Sequence, residues 1–186
     1  MEFRELDIAG VFEITPREMS DERGFFMRVY DLSEFERAGL HREWLQENHS
    51  RSVRYGVIRG LHFQREPYAE TKLVRCIRGE IFDVVVDLRA GSPTFGRWVG
   101  VNLSEENKKM LFVPRGFAHG FCALTGVTEV VYKVDNIYAP EFEGGIIWND
   151  SSLGITWPPY VEPFLSEKDR RNMTMAEFRV KYKGIF

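Results

Sequence analysis

The chain has 186 residues, with 25 Lys and Arg against 28 Asp and Glu, and only two cysteines, Cys76 and Cys122. This length predicts one domain over residues 1–186, and the net charge of -3 argues against a nucleic-acid partner, which requires a basic surface. Because there is no signal-peptide pattern and no membrane-spanning apolar stretch, we expect a cytoplasmic protein, not attached to a membrane, with reduced thiols.

The first third of the chain has the pattern of short strands joined by polar turns. Residues 10–14 and 25–30 are rich in apolar side chains, which is typical of strands. A helix is expected after them, because residues 33–36 have capping-box spacing and Gly39 is placed to end it. Residues 46–53 then return to extended structure.

The central stretch, residues 57–64, carries the most informative pattern. Alternation in a strand would place two sets of side chains on opposite faces: Val57, Arg59, Leu61 and Phe63 on one, and Ile58, Gly60, His62 and Gln64 on the other. Residues 72–77 read as the next strand and begin with Lys72. Adjacent strands would bring His62 and Lys72 together as a proton-transfer pair. On these residues alone, a structural histidine and a solvated strand-end lysine are the more common arrangement.

The rest of the chain continues in short strands. Arg78 and Gly79 separate two apolar runs and predict a tight hairpin leading into residues 81–88. Further strands are expected at residues 97–103, 108–114, 118–124 and 128–135. This succession indicates a mainly β protein, an antiparallel sandwich or barrel of the jelly-roll kind. Capping-box spacing at residues 166–169 predicts a short peripheral helix near the end.

One motif sharpens the predicted fold. Pro114-x-Gly116-x-x-His119 resembles the second motif of the cupin superfamily, whose small jelly-roll barrels hold the active site inside and often bind a metal. The chain has only four histidines, and the His-x-His pair of the first cupin motif is absent because Phe63 and Gln64 follow His62. We therefore expect no metal and no other cofactor. His119 is expected to bind an anionic ligand or to satisfy the barrel interior.

Eight motifs in the same order, spread over nearly the whole chain, resemble those of the dTDP-4-dehydrorhamnose 3,5-epimerase family. They are residues 21–26 (DERGFF), 48–50 (NHS), 59–64 (RGLHFQ), 72–75 (KLVR), 79–84 (GEIFDV), 114–121 (PRGFAHGF), 148–150 (WND) and 166–169 (SEKD). The resemblance implies a metal-free isomerase that acts on a nucleotide-diphospho-4-keto-6-deoxy sugar in the pathway to dTDP-L-rhamnose. It also implies a homodimer formed by strand exchange, an arrangement that covers sheet edges.

The resemblance implies four catalytic residues. The C3 and C5 hydrogens of such a sugar flank the C4 ketone, so removing either gives an enolate. His62 matches the base that takes the proton, and Asp169 matches the carboxylate that orients its ring. Lys72 matches the cation that stabilises the enolate oxygen. Tyr132 matches the acid that protonates the opposite face.

The resemblance also implies a set of substrate-binding residues, with charges suited to a diphosphate and one aromatic ring for stacking on the nucleobase. These residues are Arg23, Gln46, Asn48, Arg59, His119, Tyr138, Glu143 and Lys168. The stacking ring is that of Tyr138. Stacking alone does not select a base.

The chain departs from the family pattern at one substrate-binding position. The family commonly has Glu where this chain has Arg28, which reverses both the charge and the hydrogen-bonding sense. A CDP- or GDP-linked sugar, a single epimerisation and a 3,4-ketoisomerisation therefore stay open. Two other classes are a metal-dependent cupin oxygenase or isomerase and a non-catalytic sugar-nucleotide-binding jelly roll. The missing His-x-His pair argues against the first, and the presence of all four catalytic residues argues against the second.

Overall fold

The structure, a computed structural model, describes residues 1–159 and 162–183. Most of the ordered elements are short strands, and the helices are shorter than three full turns. The strands are β1 (Glu2–Glu5), β2 (Phe12–Thr15), β3 (Glu18–Asp21), β4 (Gly24–Met27), β5 (Gln46–Ser52), β6 (Ile58–Gln64), β7 (Lys72–Arg78), β8 (Glu80–Asp87), β9 (Trp98–Ser104), β10 (Met110–Val113), β11 (Phe117–Ala123), β12 (Thr128–Val134) and β13 (Glu143–Gly145). The helices are α1 (Leu32–Arg37), α2 (Glu167–Arg170) and α3 (Met175–Tyr182), with a 3-10 turn at Pro140–Phe142.

The strands form two antiparallel sheets and one separate hairpin. The first sheet has the order β1-β2-β10-β7-β12-β5, and the second has the order β13-β6-β11-β8-β9. Strands β3 and β4 pair only with each other within the described residues. Apart from the consecutive pairs β1–β2 and β8–β9, neighbours in each sheet come from distant parts of the chain, as in a jelly roll. The predicted mainly β jelly roll with short peripheral helices is confirmed. Across residues 1–159 and 162–183, the helices are too short and too polar to span a bilayer.

The core lies between the two sheets, where their inward-facing side chains are aliphatic. Val74 and Val130 of the first sheet pack with Ile81, Val85 and Leu103 of the second, and all five are buried. Each such side chain contributes roughly 1.5–3 kcal/mol by leaving water. A second cluster covers the outer face of the five-stranded sheet, where α3 packs on it. This double covering fixes β6 and the inward side chains that it carries.

The two cysteines are buried free thiols, as the sequence predicted. Cys76 lies in the core between the sheets, and Cys122 lies on the opposite face of β11. Burial raises the pKa of each thiol to about 11. Neither is therefore a thiolate nucleophile near neutral pH.

The predicted hairpin at Arg78 and Gly79 is wrong. Strand β7 pairs with β10 and β12, whereas β8 pairs with β9 and β11 in the opposite sheet. The turn is a corner between sheets, and Gly79 fits it with a φ of +71°. An added Cβ at Gly79 would lie 2.1 Å from Thr125 Oγ1, which explains why a glycine turn occurs at this corner. A tight turn in the sequence shows that the chain reverses, but not which strands then pair.

The helix signals predicted two helices at the correct places, but not their details. Helix α1 is capped by Asp31, whose side chain accepts from the backbone N–H of Glu34, rather than by Ser33. Helix α2 ends after four residues, and α3 follows it. Helix α3 was not predicted, although Thr174 and Glu177 form a reciprocal capping box at its start.

A bulge in β6 overturns the alternation predicted for the central stretch. Arg59 pairs with Phe121 of β11, and His62 pairs with His119, so three steps along β6 match two along β11. The extra residue is Gly60, with a φ of +128°. After the bulge, His62 faces the interior together with Arg59 rather than with Ile58. The two side chains consequently line the same cavity.

We expect Gly60→Ala to destabilise the fold by about 3 kcal/mol or more, because a clash adds to backbone strain. The new Cβ would lie 2.6 Å from Gly120 Cα and 2.8 Å from the His119 carbonyl oxygen. Urea denaturation followed by circular dichroism measures the loss. The matched control is Gly24→Ala, since Gly24 has a φ of +125° and nothing within 4 Å of an added Cβ. Equal losses in the two variants would show that close packing at Gly60 is unimportant.

Candidate active site

A polar cavity opens between the two sheets, at the end where their inward side chains are no longer aliphatic. It has a first compartment of about 550 Å³ and a second of about 330 Å³. His62, Lys72 and Tyr132 line both compartments. The first compartment also includes Arg59, His119, Lys168 and Asp169, and the second includes Gln46, Asn48, Tyr138 and Glu143. Apart from Arg23, the structure therefore brings all the predicted catalytic and binding residues together.

His62 is held by a carboxylate from the far end of the chain. Its Nε2 lies 2.6 Å from Asp169 Oδ1, and Asp169 is only 4% exposed. Burial raises the pKa of Asp169, but the hydrogen bond and charge of His62 outweigh burial, so the net pKa is below its ordinary value. The ionised carboxylate accepts from Nε2, which leaves Nδ1 of a neutral ring able to accept a proton. Ser166 accepts from the Asp169 backbone N–H and fixes the start of α2.

Lys72 and Tyr132 reach the cavity from the sheet opposite His62. Strand β7 places Lys72 on its inward face, and β12 places Tyr132 beside it. The Lys72 Nζ atom lies 5.8 Å from the Tyr132 ring centroid. The expectation that adjacent strands would join His62 and Lys72 is wrong, because β6 and β7 belong to different sheets. The three groups instead face one another across the cavity.

A second set of polar residues lies together in a chain of hydrogen bonds. Glu143 Oε2 accepts from the Tyr138 hydroxyl at 2.7 Å and from Lys168 Nζ at 2.5 Å. Burial raises the pKa of Glu143, but the hydrogen bonds from Lys168 and Tyr138 outweigh burial, so the net pKa is below its ordinary value. The hydrogen bond to Glu143 also raises the pKa of Tyr138. Gln46 Oε1 accepts from the Tyr138 backbone N–H at 3.0 Å. The Tyr138 ring is half exposed, which leaves its face free to stack.

Arg59 and His119 lie in the first compartment on neighbouring strands. The Arg59 guanidinium donates to Ser52 Oγ at 3.4 Å and to the Arg51 carbonyl at 3.1 Å. His119 Nε2 lies 2.9 and 3.0 Å from the two oxygens of Asp83. Both members of that pair are buried, so Asp83 orients the His119 ring.

Arg23 is the predicted binding residue that does not reach the cavity of its own chain. It lies on the turn between β3 and β4, its side chain is 85% exposed, and it pairs with Asp21 at 2.6 Å. Arg28, at the departure from the family pattern, follows the same hairpin and lies 3.5 Å from Asp31. Phe25 and Phe26 of this hairpin are also exposed.

Two carboxylates of the site, Glu70 and Asp83, were not predicted from the sequence. The apolar residues Phe82 and Val84 flank Asp83 in β8, and a carboxylate within such an apolar run indicates a buried partner. Glu70 lies two residues before Lys72 and contacts its ammonium group. Its position in a loop gave no periodic signal. Within residues 1–159 and 162–183, no three His, Cys, Asp or Glu residues are grouped to hold a metal ion.

Comparisons with known proteins identify the family of the chain. Residues 5–177 match the profile of the dTDP-4-dehydrorhamnose 3,5-epimerase family. The chain is 54% identical over 164 residues to a dTDP-4-dehydrorhamnose 3,5-epimerase from Shigella flexneri, covering 88% of this chain and 90% of the relative. It is 42% identical over 180 residues to a dTDP-4-dehydrorhamnose 3-epimerase from Streptomyces niveus, covering 96% and 86%.

A solved structure gives the same result at the level of the fold. The crystal structure of a dTDP-4-dehydrorhamnose 3,5-epimerase from Bacillus anthracis, with TDP and PPi bound, superimposes with a TM-score of 0.91. The two sequences are 44% identical, and the match covers 94% of this chain and 99% of the other. The chain therefore belongs to the dTDP-4-dehydrorhamnose 3,5-epimerase family.

Proposed function

We propose that this chain inverts C3 and C5 of dTDP-4-dehydro-6-deoxy-D-glucose and so produces dTDP-4-dehydro-L-rhamnose. The observation that carries the proposal is the meeting of His62, Lys72 and Tyr132 around one cavity. Epimerisation beside a ketone needs a base, an acid on the other face and a cation near the oxygen. The family membership of the chain supports the same reaction.

In the proposed mechanism, His62 removes the proton from the carbon beside the ketone. Asp169 stabilises the imidazolium that forms, as its contact with Nε2 allows. The electron pair of the broken C–H bond moves onto the ketone oxygen, where Lys72 stabilises the enolate. Tyr132 then gives its proton to the opposite face of the carbon, which inverts it. Water restores the proton to the phenolate and takes the one held by His62.

We assign substrate binding to the remaining cavity residues. Arg59 and Lys168 supply positive charge for the diphosphate, and Tyr138 supplies a ring for the nucleobase. Gln46, Asn48 and Glu143 offer hydrogen bonds in the second compartment. His119 offers one in the first compartment, with its ring oriented by Asp83. These assignments rest on the family resemblance and on the shared cavity.

We propose that the protein works as a homodimer with strand exchange, and that residues 1–186 form one domain. Two observations support the dimer. The β3–β4 hairpin pairs with no other strand of the described chain, and its Phe25 and Phe26 side chains are more than half exposed. Exchange would carry Arg23 to the cavity of the partner subunit. The free thiols of Cys76 and Cys122 support the predicted cytoplasmic location.

A second candidate is epimerisation at C3 alone, which is the activity named for the Streptomyces niveus relative. The two activities share proton removal beside the ketone and differ in whether C5 is also inverted. Both use the same base and cation.

The proposed activity is tested by supplying dTDP-, CDP- and GDP-linked 4-dehydro-6-deoxyglucose and following the products by NMR. We expect the L-rhamno product from the dTDP sugar, with kcat/KM at least about tenfold above the other two. Comparison with the Arg28→Glu variant isolates the effect of having arginine where the family commonly has glutamate. We expect this substitution to change KM rather than kcat. A preference for CDP or GDP would contradict the assigned nucleotide. No conversion of any of the three would contradict the activity.

A further inference from the structure

Lys72 has its own carboxylate partner in the cavity, a residue that neither the sequence pattern nor the family resemblance assigned. Glu70 Oε1 lies 3.2 Å from Lys72 Nζ, and the two side chains are 13% and 11% exposed. Among residues 1–159 and 162–183, this is the one ion pair that Lys72 makes. We infer that Glu70 is a positioning residue, which holds the Lys72 ammonium group at the point where it meets the ketone oxygen.

The rest of the cavity wall holds Glu70 in place. Its second oxygen accepts from Gln64 Nε2 at 3.2 Å. Gln64 is itself anchored, because Oε1 accepts from the Ala139 backbone N–H at 2.7 Å, and Nε2 lies 2.9 and 3.1 Å from the Tyr68 and Ile137 carbonyl oxygens. The two N–H groups of Nε2 are thus shared among these two carbonyls and Glu70. The amide of Gln64 therefore has one orientation, and the Glu70 carboxylate is fixed with it. The backbone thus holds Gln64, Gln64 holds Glu70, and Glu70 holds the ammonium group of Lys72.

Positioning matters for a lysine more than for the other catalytic groups. Its four-carbon stem is flexible, and the ammonium group is a point charge with three donors. One donor directed at Glu70 leaves two for the substrate oxygen and for the region near Tyr132. Stabilisation of an enolate depends on donors that are already in place when the charge develops. His62 has a comparable arrangement, in which Asp169 holds the ring.

The carboxylate also reduces the positive charge that Lys72 presents to the enolate. Glu70 therefore aids catalysis only if the gain from a fixed ammonium group exceeds this reduction. Misplacement of a catalytic group by about 1 Å can lower a rate by about 100-fold. We accordingly expect a net loss of about 10-fold or more when Glu70 is removed, which rests on the proposed function of Lys72.

A double-mutant cycle tests the inference, with deuterium exchange at the carbons beside the ketone as the readout. We expect Glu70→Ala to slow exchange by about 10- to 100-fold in the native background, and less than about twofold in a Lys72→Met background. The dissociation constant of dTDP should stay the same in all four proteins. Glu70→Gln keeps an oxygen acceptor and should recover part of the rate. The matched control is Glu66→Gln, an exposed carboxylate in the same loop.

Equal losses in both backgrounds would show that Glu70 has only a structural role, and no loss in either would show that it has none. Both results overturn the inference while leaving the proposed function intact. A second measurement needs no substrate and stays valid if the proposed function fails. In protein with ¹³Cε-labelled lysine, the two Hε protons of Lys72, assigned with Lys72→Met, should be inequivalent and should become equivalent in Glu70→Ala. Inequivalence that persists in Glu70→Ala would overturn the inference.

Discussion

His62→Ala is expected to lower the rate of proton removal from the sugar by about 100- to 10,000-fold, because the general base is lost. The imidazole of His62 lies in the cavity with Asp169 on its Nε2 atom, and its side chain is 28% exposed. His119 also lines the cavity with a carboxylate on its Nε2 atom, but its side chain is only 7% exposed. His119, the nearest alternative, is buried and bound to both oxygens of Asp83. It is therefore poorly placed to take over as base.

The measurement is deuterium exchange into the dTDP-linked sugar, followed by NMR and compared with dTDP binding. We expect exchange to fall while the dissociation constant of dTDP changes little, since in the proposed mechanism His62 acts on the sugar rather than on the nucleotide. The control is His49→Ala. His49 is exposed, pairs with Glu129 of β12, and lies on the face of β5 opposite the cavity. Exchange at the native rate in His62→Ala would remove His62 from the mechanism.

Tyr132→Phe is expected to separate proton exchange from inversion. Without the phenol, His62 still removes the proton and returns deuterium from the same face, so exchange continues with retention. Inversion needs the acid on the opposite face and should fall by about 100- to 10,000-fold. The substitution removes one oxygen and keeps the ring, so the contacts of Tyr132 with the core are preserved.

The two outcomes are distinguished by measuring label and configuration in the same sample. The control is Tyr182→Phe, since Tyr182 lies on α3, outside the five-stranded sheet and away from the cavity. If Tyr132→Phe inverts the sugar at the native rate, the acid must be another group. If exchange and inversion fall together, Tyr132 is needed for proton removal as well.

The sequence predicted the architecture well where local patterns decide it. Short apolar runs between turns indicated an antiparallel jelly roll, and Gly39 and Ser166 marked real helix boundaries. Strand pairing was predicted less well, because it depends on contacts between distant residues. The glycine at position 79 was correctly read as a turn, yet β7 and β8 belong to different sheets. Helix α3 is short and has little amphipathic pattern, so only its capping box signalled it.

The candidate site was predicted from motifs rather than from alternation. Strict alternation would have separated Arg59 from His62, and only the bulge at Gly60 brings both to the cavity. Such a bulge needs the partner strand to be known, so one sequence cannot locate it. Glu70 and Asp83 were missed because their importance lies in what they contact, Lys72 and His119. Arg23 was predicted as a binding residue, but a single chain does not contain its binding partner.

In the proposed reaction, His62, Lys72 and Tyr132 act on both carbons beside one ketone. The most direct test of this reaction is to incubate the protein with dTDP-4-dehydro-6-deoxy-D-glucose in heavy water and to locate deuterium by NMR. We expect label at both C3 and C5, with both carbons inverted. Label at C3 alone would contradict double epimerisation and support the 3-epimerase activity, and label at neither carbon would contradict the account of the site.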